Sequence, residues 1–501
     1  MFNNLSNFFN LKVLKRFKTV IERDDVIPLG TRDSRYGGGY KPTAMKVSDF
    51  LANVGGNSFL TLTDTPVDYT GQAGNVATVN PGEDGLIFSA IPPSVDTNTW
   101  DMANVAFVSR TTGNDGTGAL GDGNKPYLNI NVADTVASIV MILPGTYSET
   151  VTLKTGTTYY CYPGVVFTSG GLRAPGTALI DTRWLGHADF IGNFLQIYLI
   201  GMTATNLQLE WNTSVETGST ARCFFIDGAG AVTFTAKCRS ILSYGGGAYG
   251  ARMQGTVSGV LNIQESLKGS YGVLNFGTGA TVVGNIVVNC PKIIITDGGF
   301  VGNNSSYKQC IHVYALALGS TVIVNGDVYD QVSVFLTSVS GSIRHIAAGR
   351  LIHNGSIYGT GLYGISITSG TVIQNGNMNI KYRPYLGTGG ETLIKNATIV
   401  TESYSHVNNV NATLYMKDCS YNNAQVGIAG IRYNHASNKL YIENTTFELE
   451  ATAECIDTVG VAASAGLINV TSNVINDVAL LSNYTAPGFT VEANLNVPKF
   501  N

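Results

Sequence analysis

"VIQNGNMNI", residues 372–380, sets β-favouring side chains on either side of an Asn-Gly pair. Near-copies surround it: "VIVNGDVYD" from Val322, "LIHNGSIYG" from Leu351 and "LIKNATIVT" from Leu393. The same form, an apolar residue, then Asn, Lys or Glu three places on and a second apolar residue four further, recurs from Leu414 and Leu440, and "LINVTSNVI" continues the series from Leu467. Looser members occupy 260–267 and 286–293. Successive starts from Val322 to Leu440 lie 29, 21, 21, 21 and 26 residues apart. A period in the low twenties, filled with short β segments and Gly/Asn turns, predicts an all-β solenoid. Each coil then gives two or three strands that stack on the next. Helical repeats need 33 residues or more, and the LxxLxL frame of leucine-rich repeats is missing.

The asparagines at 325, 354, 375 and 396 then fall at one corner of successive coils. Asn tolerates the left-handed backbone of a sharp corner, and stacked amides bond along a ladder. At about 23 residues per coil the repetitive region gives roughly 14 coils, a body about 70 Å long at a rung spacing of about 4.8 Å.

Composition agrees. Only 13% of the 501 residues are charged, against about 25% in an average globular protein. Glycine stands at 59 residues, as turns require, while 44% apolar residues argue against disorder. A net charge of −4 offers no basic face, so no nucleic-acid partner is expected. Seven scattered cysteines without a CxxC pair predict buried free thiols rather than disulfides or zinc. No apolar run reaches the roughly 18–20 residues that would span a bilayer, so membrane insertion is not expected. Lys12, Lys15, Arg16 and Lys18 interrupt the N-terminal apolar stretch, so export by the general secretory route is not expected either.

Five segments follow. Within 1–57, Leu5, Phe9, Val13, Phe17 and Ile21 recur every four residues and predict one stripe of an α-helix. That stripe suits packing within its own assembly, gripping a partner protein, or lying on a membrane surface. "VIPLGTRDSRYGGGYKPT" reads as turn and loop, and 45–54 as a short helix. Residues 58–92 alternate short strands with Gly/Pro turns, a small β-module. The prolines of 93–104 mark a linker. The solenoid takes 105–476, and 477–501 is read as a C-terminal cap over its strand edges.

Two stretches resemble known families. The run through Gly113-Asn114-Asp115, Lys125-Pro126-Tyr127 and Pro144-Gly145-Thr146-Tyr147 resembles the opening of pectin-lyase-like right-handed parallel β-helices. The helix usual after the Lys-Pro-Tyr strand is reduced here to "NVADTVAS". The frame Leu-Thr-Asp-Thr-Pro…Tyr-Thr-Gly…Gly-Leu-x-Phe within 58–92 resembles a short module of bacteriophage tail-fibre and appendage proteins. "DDVIPLGTRDSRYGGGYKPTAMKVSDFL" is similar to virion proteins of crAss-like phages. These likenesses imply a homotrimeric virion fibre, of tail-fibre, head-fibre or tailspike-like kind. It would be fixed to capsid or tail proteins by Leu5, Phe9, Val13, Phe17 and Ile21, and would bind host-surface polysaccharide.

Many β-helical tailspikes also cut their glycan, which needs two carboxylates about 5–9.5 Å apart. If the chain is an enzyme, Asp418 and Glu443, one coil apart, are the first candidates. Asp297, Asp327 and Asp330 form a second group, and Glu391 with Glu402 a third. Polygalacturonase motifs and a calcium-binding aspartate cluster are missing, so binding is the favoured reading and polysaccharide depolymerase the alternative. The six histidines stand at no metal-ligand spacing, and neither a metal nor a cofactor is expected. For sugar contact the candidates are Tyr358, Tyr363, Tyr382, Tyr385, Tyr404 and Tyr433, since tyrosine offers a flat apolar face and a hydroxyl. The rival reading packs these rings between chains of a trimer.

Overall fold

A computed structural model describes residues 102–216, 222–244, 249–270, 272–296, 309–332, 341–360, 362–403, 405–407, 411–423, 430–433 and 438–449. It also describes, as backbone, the strands at 26–32, 40–46, 75–79, 86–90, 454–457, 467–475, 479–482 and 490–491. The chain divides into two compact units, Met1–Thr99 and Trp100–Asn501.

In the first unit Val26–Arg32 pairs antiparallel with Tyr40–Lys46, and Asn75–Val79 with Leu86–Ala90. The Gly-rich stretch read as loop is therefore flanked by hairpin strands. Pro28 and Pro42 are accommodated because each strand of a two-stranded sheet has a free edge. Met45 and Lys46 are strand rather than the start of a helix. The helical stripe Leu5–Ile21 lies outside the described residues.

The second unit is a parallel β-solenoid. One coil consists of Thr371–Asn375, Met378–Ile380 and Arg383–Gly387, and each strand pairs in parallel with its equivalent in the next coil. The three positions define three faces. On the first face, parallel pairing runs from Val105–Val108 to Thr490–Val491. It continues beyond residue 476, where Ala479–Ser482 pairs with Glu454–Asp457 on the third face.

Alternation sorts the side chains. Val322, Leu351, Val372, Leu414 and Leu440 point inward and are fully buried, each on its equivalent above and below. Aromatics fill the earlier coils: Phe167 stacks on Tyr147 at 5.5 Å and on Phe190 at 5.1 Å, and Trp211 on Phe224 at 5.6 Å. The described cysteine side chains, from Cys161 to Cys419, are unpaired and buried, and burial pushes the Cys161, Cys223 and Cys310 thiols well up. No helix among the described residues is long and apolar enough to cross a membrane.

The asparagine ladder is present, shifted from its expected membership. Side-chain amides link Asn262 to Asn289 (2.7 Å), Asn289 to Asn325 (2.6 Å), Asn325 to Asn354 (2.8 Å) and Asn354 to Asn375 (2.7 Å). The register then places Lys395 on Asn375, so Asn396 falls one residue beyond the ladder. The cause is a short coil: Ile352, Ile373, Leu393 and Tyr415 are successive partners, at steps of 21, 20 and 22 residues. A one-residue slip in a strand changes the face of every side chain. Leu393 accordingly joins Ile373 and Tyr415 in an outward apolar row, and Thr392 takes the inward place. The left-handed backbone belongs to the residue after the ladder: Asn396 (φ 52°), Asp418 (52°) and Asn444 (47°), with glycine at 326 and 376.

The opening motif is explained by packing. The first coil carries a long excursion, in which Tyr127 N donates to Phe107 O at 2.8 Å and Ser109 N to Tyr127 O at 2.9 Å. A Cβ on Gly113 would lie 2.2 Å from both Ser109 O and Tyr127 O, so only glycine fits. Asp115 accepts from the Leu128 and Asn129 amides at 2.8 and 3.0 Å. The excursion ends in a single helical turn, Ile130–Ala133.

Two expectations follow. At Gly326 (φ 141°) a Cβ would stand 1.6 Å from Cys290 O, whereas at Gly123 it would meet nothing within 4 Å. Gly326→Ala should cost about 2 kcal/mol or more and Gly123→Ala under about 0.5, read as shifts in urea midpoint. The second concerns acid. His345 is fully buried, and its Nε2 donates to Gly349 O at 3.1 Å. Burial pushes its pKa down to about 4 against that hydrogen bond, and burial with nearby Arg344 pushes His312 down to about 3. Both are neutral when folded and protonate more readily when unfolded. Stability should hold above about pH 6.5 and fall progressively towards pH 4, with a shallower fall in His345→Gln, measured by thermal melts across pH.

Candidate glycan-binding groove

Outward positions of the second face build the site. Tyr329, Tyr358, Asn379 and Val400 are successive register partners, and the corner beyond them presents Gln331, Thr360, Lys381 and Glu402. These residues, with Tyr382, line a groove of about 1000 Å³ running across four coils. Its walls are backbone held by parallel pairing, so the groove is positioned by the coil and not by a free loop.

Tyr329 and Tyr358 stack at 5.1 Å with planes 17° apart. Tyr358 is 37% exposed and carries the open face of the pair. The Tyr329 hydroxyl donates to Asp327 Oδ2 at 3.4 Å, and slight burial together with that carboxylate raises its pKa. Lys381 Nζ stands 5.6 Å from the Tyr382 ring centroid. Thr401 Oγ1 donates to Tyr382 O and accepts from Ser403 N at 3.1 Å, which ties that corner down. Lys381 and Glu402 are exposed, one coil apart, joined through Glu402 N donating to Lys381 O at 3.2 Å. Flat aromatic surface beside amide, ammonium and carboxylate groups is what a sugar chain needs: apolar ring faces to stack and hydroxyl edges to hydrogen-bond.

The expected tyrosines separate. Tyr358 and Tyr382 meet in the groove. Tyr363 is 6% exposed under Arg383, whose Cζ is 5.8 Å from its ring centroid. Tyr385 is a correction: it is fully buried, one of the large aromatics of the core, with no ring face for a ligand. Pro384 and Tyr385 both turn inward where the third face begins, a bend that alternation alone does not announce. Tyr404 and the Tyr433 side chain lie outside the described residues, as does Asp297.

Of the expected acids, Glu391 and Glu402 are exposed, and Glu402 and Asp330 both line the groove. Glu443 Oε1 pairs with Lys417 Nζ at 3.0 Å, continuing the asparagine ladder as an ion pair. Asp418 sits at the following corner and accepts from Asn444 Nδ2 at 2.7 Å. Asp327 Oδ1 accepts from Ser356 N at 2.8 Å, and Asp330 is 3% exposed and accepts from Val332 N at 3.2 Å. The carboxylates of Asp327, Asp330, Asp418 and Glu443 each serve the coil itself. His345 and His353 are both buried, and His353 Nδ1 lies 2.7 Å from Gln374 Oε1. Among the described residues no three His, Cys, Asp or Glu side chains are grouped to hold a metal ion.

Sequence reasoning missed Tyr329, although its signal was present. Tyr329 and Tyr358 occupy the same eighth place of "VIVNGDVYD" and "LIHNGSIYG", so equal phase predicts a stacked pair. In comparison with known proteins, no family model matches the chain, and no curated protein or solved structure matches it.

Surface and core tyrosines should respond differently. Tyr358→Ala should cost under about 1.5 kcal/mol of stability, while Tyr385→Ala should cost about 3–5 kcal/mol. Urea denaturation of the two variants measures the contrast.

Proposed function

We propose that the chain is a structural and adhesive component of a phage particle that binds a host-surface glycan through the groove of Tyr329, Tyr358 and Tyr382. The observation that carries the binding part is the stacked, outward Tyr329–Tyr358 pair bordered by Asn379, Lys381 and Glu402. The phage part is supported by the likeness of residues 58–92 to appendage modules, followed in the same chain by a solenoid. In this reading the N-terminal segment docks on capsid or tail proteins and the chain assembles as a homotrimer. The coil winds right-handed, as nearly all parallel crossovers do. Three copies of one groove on rigid rungs turn weak sugar contacts into firm attachment, because the second and third binding events become intramolecular.

Asp327, Asp418 and Glu443, of the carboxylates brought forward as catalytic pairs, are occupied in the coil, which favours binding over turnover at those positions. The test is a screen of purified protein against bacterial surface polysaccharides, followed by incubation with whichever one binds. Binding should weaken about tenfold in Tyr358→Ala, corresponding to about 1.4 kcal/mol, with no new reducing ends or unsaturated sugars. Equal binding by Tyr358→Ala would remove the groove from the proposal. Release of defined oligosaccharides would replace adhesion with depolymerase activity. Electron microscopy of particles labelled against the chain would place it on head or tail, and unlabelled particles would overturn the virion assignment.

A further inference from the structure

The third face carries a different cluster some coils earlier, in which Phe225, Tyr249 and Arg252 are buried and Arg173, Tyr198 and Arg222 half-buried. Its outward row runs Arg173, Tyr198, Phe225 and Arg252 as successive register partners, and Arg222 with Tyr249 forms the row beside it. Arg222 Cζ lies 4.9 Å from the Phe225 ring centroid and 5.8 Å from those of Tyr198 and Tyr249. Arg252 approaches Phe225 at 4.9 Å and Tyr249 at 5.3 Å, and Arg173 approaches Tyr198 at 5.6 Å. Three guanidinium groups, on the first, third and fourth of four successive coils, thus interleave with three rings on the second, third and fourth.

Their hydrogen bonding is unequal. Arg173 donates to the carbonyls of Leu172 and Gly170 at 2.8 and 2.7 Å. Arg252 donates to Gln254 Oε1 at 3.0 and 2.6 Å, and the Gln254 amide donates to Asp227 Oδ2 at 2.7 Å. Arg222 has the rings: among the described residues its guanidinium makes no hydrogen bond or ion pair, and it is only partly buried. Among the described residues none of the three arginines forms an ion pair with a carboxylate, Asp227 being engaged through Gln254. Burial, and then the Arg222 charge, lower the Arg252 pKa, with Tyr249 and Asp227 acting against them.

Ring contacts fix a guanidinium plane without consuming its N–H donors. The Arg222 fork is therefore preorganised and open, the condition for bidentate recognition of a planar oxyanion. We propose that Arg222 is the centre of a second carbohydrate subsite, one that takes the carboxylate of an acidic sugar while the half-buried Tyr198 ring supports the sugar face. This subsite uses none of the groove on the second face and stands whether or not that groove binds. The plain alternative is that the interleaved rings and guanidiniums only staple coils together, in which case the charge on a ligand is irrelevant.

The test uses calorimetric titration of the full chain with three probes. These are a hyaluronan hexasaccharide (alternating glucuronate and N-acetylglucosamine), the same oligosaccharide with its carboxylates reduced to alcohols, and inorganic phosphate. The carboxylated oligosaccharide should bind. Reducing its carboxylates, or replacing Arg222 with Gln, should each weaken binding at least tenfold, and phosphate should bind at least tenfold more weakly than the sugar. No binding of the carboxylated probe, equal binding by Arg222→Gln or by the reduced probe, or phosphate binding as tight as the sugar would each overturn the proposal. Should Arg222→Gln lose its β-sheet circular dichroism, Arg222→Lys replaces it. That variant keeps the charge and loses the planar fork, so lysine binding as tightly as arginine would overturn the proposal as well.

Discussion

A coil of this chain closes only where its backbone N–H and C=O groups meet those of the coil below, at a spacing of about 4.8 Å. Unpaired backbone groups in an interior cost too much for the winding to leave that pairing incomplete. Every other feature accommodates this requirement. Parallel register places like positions over like, so the core becomes columns of stacked side chains: Val322 on Leu351 on Val372, and Tyr147 beside Phe167 beside Phe190. A column tolerates size changes between neighbours only gradually, which is why the apolar pattern is so repetitive.

Corners are where the requirement is hardest to meet. The chain must turn sharply between faces without losing its rung, and the turning residue adopts positive φ at Asn396, Asp418 and Asn444 and at the neighbouring glycines. The residue before each corner is left outward and in phase, and its side chain is free to pair along the axis. Amide pairs satisfy that position from Asn262 to Asn375, and Lys417 with Glu443 satisfies it further on. Asp418 and Asn444 then pair directly at the corner itself. Asp418 and Glu443, which look available for chemistry in the sequence, are part of this axial pairing.

The outward rows, relieved of core duty, differ in chemistry from face to face. The first face carries an apolar row of Ile373, Leu393 and Tyr415, the second a tyrosine groove, and the third a partly buried cluster of arginines and aromatic rings. Because all three rest on paired backbone, the spacing of their groups along the axis is set by the rung and not by loop motion. That rigidity suits recognition of long polymers, whose repeating units meet repeating positions.

The period, the strand character and the existence of an asparagine ladder were legible from residues 322–401, since repeated short apolar segments cannot bury themselves except by stacking. The buried thiols and the shortened helix after Tyr127 were legible for the same reason, being local consequences of composition and spacing. Register was not. A coil one residue shorter moves Leu393 outward and Asn396 to a corner, and no local pattern distinguishes that slip from perfect repetition. Nor could spacing tell Tyr358, open beside Tyr329, from Tyr385, enclosed in the core, because the bend at the start of the third face reverses which side chains look inward. The gathering of Arg222 with Tyr198, Phe225 and Tyr249 joins residues about two coils apart. Sequence alone determined that this chain must stack; only the coil-to-coil register decided which side chains reach the surface together, since one residue of offset exchanges inside for outside.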